Sequence, residues 1–241
     1  MTAGSRGAGD RPESLWADLD GPVHYVDHGG AQDGPLLVCV HGLGGSLLNW
    51  AALVPLLTPT CRVMALDLAG FGRTRSGSRS TAVRANQRLL HRFLTEVAGV
   101  PAILVGNSMG GLISILQASS RPDTVAGLVL VDPALPIALS ARPDPRVAAT
   151  FTAFLVPAIG RRLLARRRET TSAEEAARSL LRLCCEDPSR VPAHVVDQHI
   201  ELAGQRREYS DVDSEMLSAS TNSRDCAADS ISESTSEYSR R

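Results

Sequence analysis

Apolar and polar blocks alternate along the first 136 residues. PLLVCVHG (35–42) is an unbroken apolar run, as a strand buried on both faces requires. GPVHYVDHGG (21–30) reads as a strand closed by a glycine turn, and RVMALDLAGFG (62–72) as a strand running into a loop. PAILV (101–105) and VAGLVLVDPA (125–134) predict two further buried strands. Between these runs, SLLNWAALVPLLT (46–58) predicts a helix. TAVRANQRLLHRFLTEVAG (81–99) has helical spacing, with Val83, Leu89, Leu90, Phe93 and Val97 on one side. GLISILQASSRP (111–122) predicts a helix stopped by proline. Strands alternating with helices imply an α/β fold, a mostly parallel sheet flanked by helices.

The pattern changes near residue 137. RPDPR (142–146) is a loop, and helical segments follow: RVAATFTAFL, AIGRRLLARRR, SAEEAARSLLRLCCE and PAHVVDQHIELAGQRREY. Ser172 ahead of Glu174 and Glu175 marks one helix start. The last segment, 218–241, contains eight serines, with Ile231 and Tyr238 its only large apolar residues, so it predicts disorder. The expected division is a disordered 1–13, a core over 14–136, a helical subdomain over 137–217 and a disordered tail over 218–241.

Composition narrows the function classes. A formal net charge of -1, with arginine as the only basic residue besides histidine, gives no global field for nucleic acid or an anionic membrane. No run reaches a membrane span. The nearest, VAATFTAFLVPAIG (147–160), is broken by proline and reads as a helix over an apolar pocket, with an interfacial helix as the alternative. The five cysteines (Cys39, Cys61, Cys184, Cys185, Cys226) fit no metal spacing and no disulfide framework. The expectation is a cytoplasmic protein with no metal and no cofactor.

Candidate chemistry lies at the strand ends. In VGNSMGG (105–111), Ser108 stands in a G-x-S-x-G frame between a buried strand and a helix. There the turn lifts the hydroxyl out of the sheet, and the helix N-terminus favours a developing anion. HGLGGS (41–46) follows one buried strand and DLAGFGRT (67–74) another. The Met109 N–H is one candidate oxyanion donor; Leu43 offers the second, with Gly42 next.

These three motifs, in this order, resemble those of the α/β-hydrolase superfamily, over roughly residues 14–215. The resemblance implies a serine hydrolase cleaving a small apolar ester or related acyl bond, like the esterase, lipase and carbon–carbon-bond hydrolase branches. It also implies that the helical stretch is a cap inserted after the sixth strand. Relatives that open epoxides or carbon–halogen bonds use an aspartate where this chain has Ser108.

The family order is Ser, then Asp or Glu, then His. The chain runs from the cap into the serine-rich tail without the last two strands of that pattern, as a truncated or frame-altered sequence would. His41 reads as structural in its HG loop, His24 and His28 as strand residues, His91 as a helix residue, and His194 and His199 as cap residues. Asp132, ending the strand VLVDPA, is the candidate acid, and Asp67 reads as a loop organiser that binds backbone N–H groups. With no base in place, a non-catalytic protein that keeps the pocket to bind an apolar ligand is the alternative function.

Overall fold

The computed structural model describes residues 13–134 and 171–208. The expected N-terminal disorder, the 147–160 helix and the 218–241 tail fall outside these residues, apart from Glu13.

Six strands form one sheet: β1 (Leu15–Asp18), β2 (Pro22–Gly30), β3 (Leu36–Val40), β4 (Arg62–Leu66), β5 (Ala102–Asn107) and β6 (Val125–Val131). Their spatial order is β1-β2-β4-β3-β5-β6. The first two pairings, β1 with β2 and β2 with β4, are antiparallel. From β4 through β3 and β5 to β6 every pairing is parallel. The C-terminal ends of β3, β4 and β5 therefore share one edge of the molecule, where ligand sites of open α/β sheets form.

The central strand β3 is buried along its whole length, and its side chains alternate between two cores. Val38 and Val40 join Met64, Leu66 and Leu104 beneath the helices α2 (Val83–Arg92) and α3 (Met109–Ser120). Leu37 and Cys39 join Val63, Ala65 and Val105 beneath Leu47, Trp50 and Val54 on the other face. A run apolar at every position is what two covered faces demand. Cys39 is buried here, and burial pushes its thiol up to about 12, so it acts as an inert apolar filler.

The helix expected over 46–58 is instead a 3-10 turn (Leu47–Trp50) and a single helical turn, α1 (Val54–Leu57). Ser46 caps the first: its hydroxyl accepts from the Leu48 N–H, and Asn49 accepts from the Ser46 N–H at 2.9 Å. Pro55, in the first turn of α1, has no N–H to continue a helix arriving from Leu47. α2 runs into a π-helical turn, Phe93–Ala98, which brings Leu94 and Ala98 into the core beside Phe93.

Two strand expectations need correction. β1 lies in a segment for which the apolar pattern predicts no strand; it alternates between half-buried and exposed positions and pairs with β2. β6 pairs with β5 but is not buried: Leu128, Val129, Leu130 and Val131 are 38–48% exposed. Among the described residues it is the edge strand, so nothing covers its apolar side chains as β3's are covered.

After residue 170, α4 (Ala173–Cys184) and α5 (Ala193–Glu208) pack against each other, and Ala177 and Leu181 of the first and Val195 and Leu202 of the second are buried. The Ser172 hydroxyl accepts from the Glu175 N–H at 3.1 Å, which fixes the start of α4 where Glu174 and Glu175 predicted it.

Candidate functional site

β5 ends at Asn107, and α3 begins at Met109. Ser108 joins them with φ 50° and ψ -117°, a conformation that L-residues rarely hold. Strain of this kind costs about 1–3 kcal/mol and survives only where the surroundings enforce it. The enforcing bonds are clear. The Ser108 N–H donates to Val131 O at 3.1 Å, and its carbonyl accepts from Ala134 at 2.9 Å and Leu112 at 3.2 Å. β6 thus buttresses the turn from one side.

The glycines supply the room. A Cβ at Gly106 would lie 2.6 Å from Gly110 O, and one at Gly110 would overlap Val40 O and stand 2.5 Å from His41 O. These are backbone atoms that cannot swing aside. The start of α3 therefore presses directly on the end of β3.

The loop after β3 faces the serine. A Cβ on Gly42 would lie 3.2 Å from the Ser108 Cβ. The Gly42 carbonyl is held from the other side: His41 Nδ1 donates to it at 2.8 Å and the Gly45 N–H at 3.1 Å. The next peptide N–H, that of Leu43, lies in the same plane and points the opposite way. It makes no hydrogen bond among the described residues. Met109, first residue of α3, has an N–H without an acceptor in its own helix.

His41 is fully buried, and both ring nitrogens are engaged. Nδ1 donates to Gly42 O, and Nε2 accepts from the Leu68 N–H at 3.1 Å. It fixes the loop and has no lone pair left for Ser108.

Among the described residues, which include all six histidines, no side chain hydrogen-bonds the Ser108 hydroxyl. His91 pairs with Gln117 at 3.2 Å, and His24 pairs with Asp67 at 2.7 Å. Burial pushes His28 down to about 4, partly countered by Asp27. His194 is exposed on α5, and His199 is buried there. Asp132 follows Val131 with φ 47° and is exposed. The structure sets it near the Ser108 turn but not against an imidazole.

Asp67 organises the loops as its sequence context suggests. Oδ1 accepts from the Leu47 N–H at 2.8 Å, and Oδ2 from the Arg73 N–H at 2.9 Å and from His24. Burial alone would raise its carboxyl. The His24 hydrogen bond, the nearby imidazoles and the Arg73 N–H outweigh this and hold it below 3.8. The link to Ser14 is one that sequence reasoning missed: Ser14 Oγ lies 3.0 Å from His24 Nε2. The three residues are far apart in the chain, and only a polar residue at an inward strand position hints at it. Among the described residues no cluster of His, Cys, Asp and Glu could hold a metal. No described helix is long and apolar enough to cross a membrane.

The α/β hydrolase fold family profile matches residues 35–220. The chain is 34% identical over 119 residues to the dihydrolipoyllysine-residue acetyltransferase component of the acetoin cleaving system of Cupriavidus necator, covering 49% of this chain and 31% of that protein. It is 34% identical over 113 residues to the mouse sn-1-specific diacylglycerol lipase ABHD11, covering 46% of this chain and 36% of the lipase. The matched segment thus spans about a third of the length of these relatives. Among solved structures, a putative epoxide hydrolase from Pseudomonas aeruginosa superimposes with a TM-score of 0.74 at 17% identity, over 97% of this chain and 77% of that one, a likeness of fold alone. With the mostly parallel sheet, the strand–serine–helix turn and a family match over more than half its length, the chain belongs to the α/β hydrolase fold family.

Proposed function

We propose that this chain carries the nucleophile and oxyanion half of a serine hydrolase that cleaves a small apolar ester or related acyl bond. One observation carries the reading: Ser108 is held in a strained turn directly opposite the Gly42–Leu43 peptide. Ser108 Oγ attacks the acyl carbon. The N–H groups of Leu43 and Met109 receive the oxyanion, where each such donor is worth about 10²–10³ in turnover. A serine in place of an aspartate favours acyl chemistry over epoxide or carbon–halogen opening. Relatives named as lipase and methylesterase support an apolar ester as substrate.

In this reading α4 and α5 belong to a cap over the strand ends. Arg73, in the loop after β4, reaches Gln205 of α5 at 3.3 Å. Four cysteines, free among the described residues, fit a reducing, cytoplasmic setting. Asp132 is the acid that a base would use if one were brought to Ser108 from above β6.

A second reading has its own observation, the absence of any imidazole at the Ser108 hydroxyl among the described residues. The chain would then bind the substrate class and turn it over scarcely. A fluorophosphonate probe and a nitrophenyl ester, applied to wild type and Ser108→Ala, separate the two. Labelling at Ser108 with turnover well above the variant supports the hydrolase. Equal, background rates and no labelling support the binding protein. Exogenous imidazole should raise the Ser108-dependent rate several-fold if only the base is lacking.

A further inference from the structure

The residues around Asp67 form a second constellation, remote in sequence from Ser108. Asp67 is buried and can only accept hydrogen bonds, so the 2.7 Å contact from His24 Nδ1 fixes that nitrogen as the donor. In the neutral ring this leaves the Nε2 lone pair directed at Ser14 Oγ, 3.0 Å away. Arg73 NH1 lies 3.0 Å from the same oxygen and can only donate to it. The one proton of the Ser14 hydroxyl is therefore left to point at His24 Nε2. Hydroxyl, imidazole and buried carboxylate stand in the order and at the distances that activate a serine.

The surroundings suit an incoming group. Ser14 is exposed, whereas His24 is 3% exposed. Trp16, 52% exposed, sets its ring 5.1 Å from the His24 ring, so an apolar surface lies beside the reactive hydroxyl. The Arg73 guanidinium is steadied by Gln205 at 3.3 Å and by Glu201 at 3.8 Å. It places a positive charge beside the Ser14 oxygen, within reach of charge that develops on an attacked carbonyl.

We propose that Ser14 is a second reactive serine, activated by His24 and Asp67, that takes an acyl group from an activated carboxylic ester. The Ser14 Oγ forms a bond to the acyl carbon while its proton passes to His24 Nε2. The carbonyl electron pair moves onto oxygen beside Arg73. On collapse the bond to the leaving alcohol or phenol breaks, and that oxygen takes the proton from His24 Nε2. Acyl-Ser14 and a free alcohol result, with His24 and Asp67 returned to their starting states. The step uses nothing from Ser108.

The test is made in the full chain carrying Ser108→Ala, so that the outcome is independent of the first site. The protein is exposed separately to 4-nitrophenyl acetate and to a fluorophosphonate, and the Ser14 peptide is followed by mass spectrometry. Ser14 should gain the acetyl and phosphonyl groups ~10²-fold faster than the exposed Ser78 and than Ser14 of the urea-unfolded chain, within the range of general-base assistance. Adding His24→Gln should remove that advantage, and adding Ser14→Ala should remove the label. Labelling of native Ser14 no faster than Ser78 or the unfolded chain would overturn the proposal, as would a fast rate that persists in a folded His24→Gln variant. The comparison with Ser78 and the unfolded chain stands even where His24→Gln fails to fold.

Discussion

Two regions at the same edge of the sheet divide the parts of an activated serine between them. Around Ser108 there is a strained turn, a helix N-terminus and an opposed peptide N–H, but no imidazole among the described residues. Around Ser14 there is an imidazole, a fully buried carboxylate and a cation, but an unstrained serine ahead of an edge strand. The first region spends conformational strain to present an oxygen and to stabilise charge that develops later. The second spends desolvation of a carboxylate to orient a base. The difference teaches that geometry for the transition state and basicity for the ground state are separable investments in one fold. Each can be broken by its own substitution.

The largest effect should come from Asp67→Ala. Removing one partner of a buried pair typically costs about 3–5 kcal/mol. Here it also strands the N–H groups of Leu47 and Arg73. Urea unfolding should show a midpoint lowered accordingly, and a variant within 1 kcal/mol of wild type, on the same scale of about 3–5, would mean that the second region is not rigid. The pH dependence has a definite sign. Because the folded Asp67 pKa is lowered from 3.8, its contribution is present above that pH and is lost as pH falls through the folded value. Asp67→Ala should lack this acid limb.

Gly110→Ala attacks the first region. Its Cβ would overlap Val40 O and press on His41 O, so α3 must lift from β3. Overpacking of this kind costs about 1–3 kcal/mol or somewhat more where only backbone can yield. Fluorophosphonate labelling at Ser108 should fall with it, since the helix N-terminus moves. Stability and labelling both unchanged would show that the close approach of α3 to β3 is not what sets the turn.

These two regions were unequally legible in the sequence. The Ser108 turn lies within seven contiguous residues, and the glycines that permit it, Gly106 and Gly110, stand two positions either side of the serine, so local rules identify it. The buried runs of β3, β4 and β5 were legible for the same reason: two covered faces leave an unbroken apolar record. β6 carries the same record but is exposed, because burial depends on neighbours that the strand itself does not encode. The helix expected from Ser46 to Thr58 failed at Pro55, a signal that was present in the sequence. The π turn at Phe93–Ala98 left no mark in residue spacing. The Ser14–His24–Asp67 contact spans ten residues on one side and 43 on the other, and no local pattern encodes such a meeting.

Ser108→Gly gives a smaller effect of opposite sign. Relief of the φ 50°, ψ -117° strain is worth about 1–3 kcal/mol, against roughly 0.5–1 kcal/mol lost to the flexibility of glycine in the unfolded chain. The net should be a stabilisation of about 1 kcal/mol, read as a raised urea midpoint, together with complete loss of labelling at residue 108. A destabilised variant would mean that the turn is not strained, and the contrast between the two regions would lose its first term.

The smallest effect sharpens the second region by separating its two imidazoles. His24 and His28 lie four positions apart on β2, each beside a carboxylate, Asp67 or Asp27. Burial holds His28 neutral, with its pKa down from 6.5 to about 4, while Asp27 is itself engaged by Arg62 at 2.6 Å. Between these pH values the unfolded chain binds the proton and the folded chain does not. Stability attributable to His28 is therefore full above 6.5 and declines as pH falls toward 4. The ring is only partly buried, so the decline should amount to about 1 kcal/mol once solvent screening is allowed for. Unfolding midpoints of wild type and His28→Asn, taken at intervals from pH 7 to 4, should converge as pH falls. The Asp67 limb begins only below that range, so the two acid responses occupy different pH windows. Parallel curves for wild type and His28→Asn would mean that burial does not hold the His28 ring neutral in the folded chain.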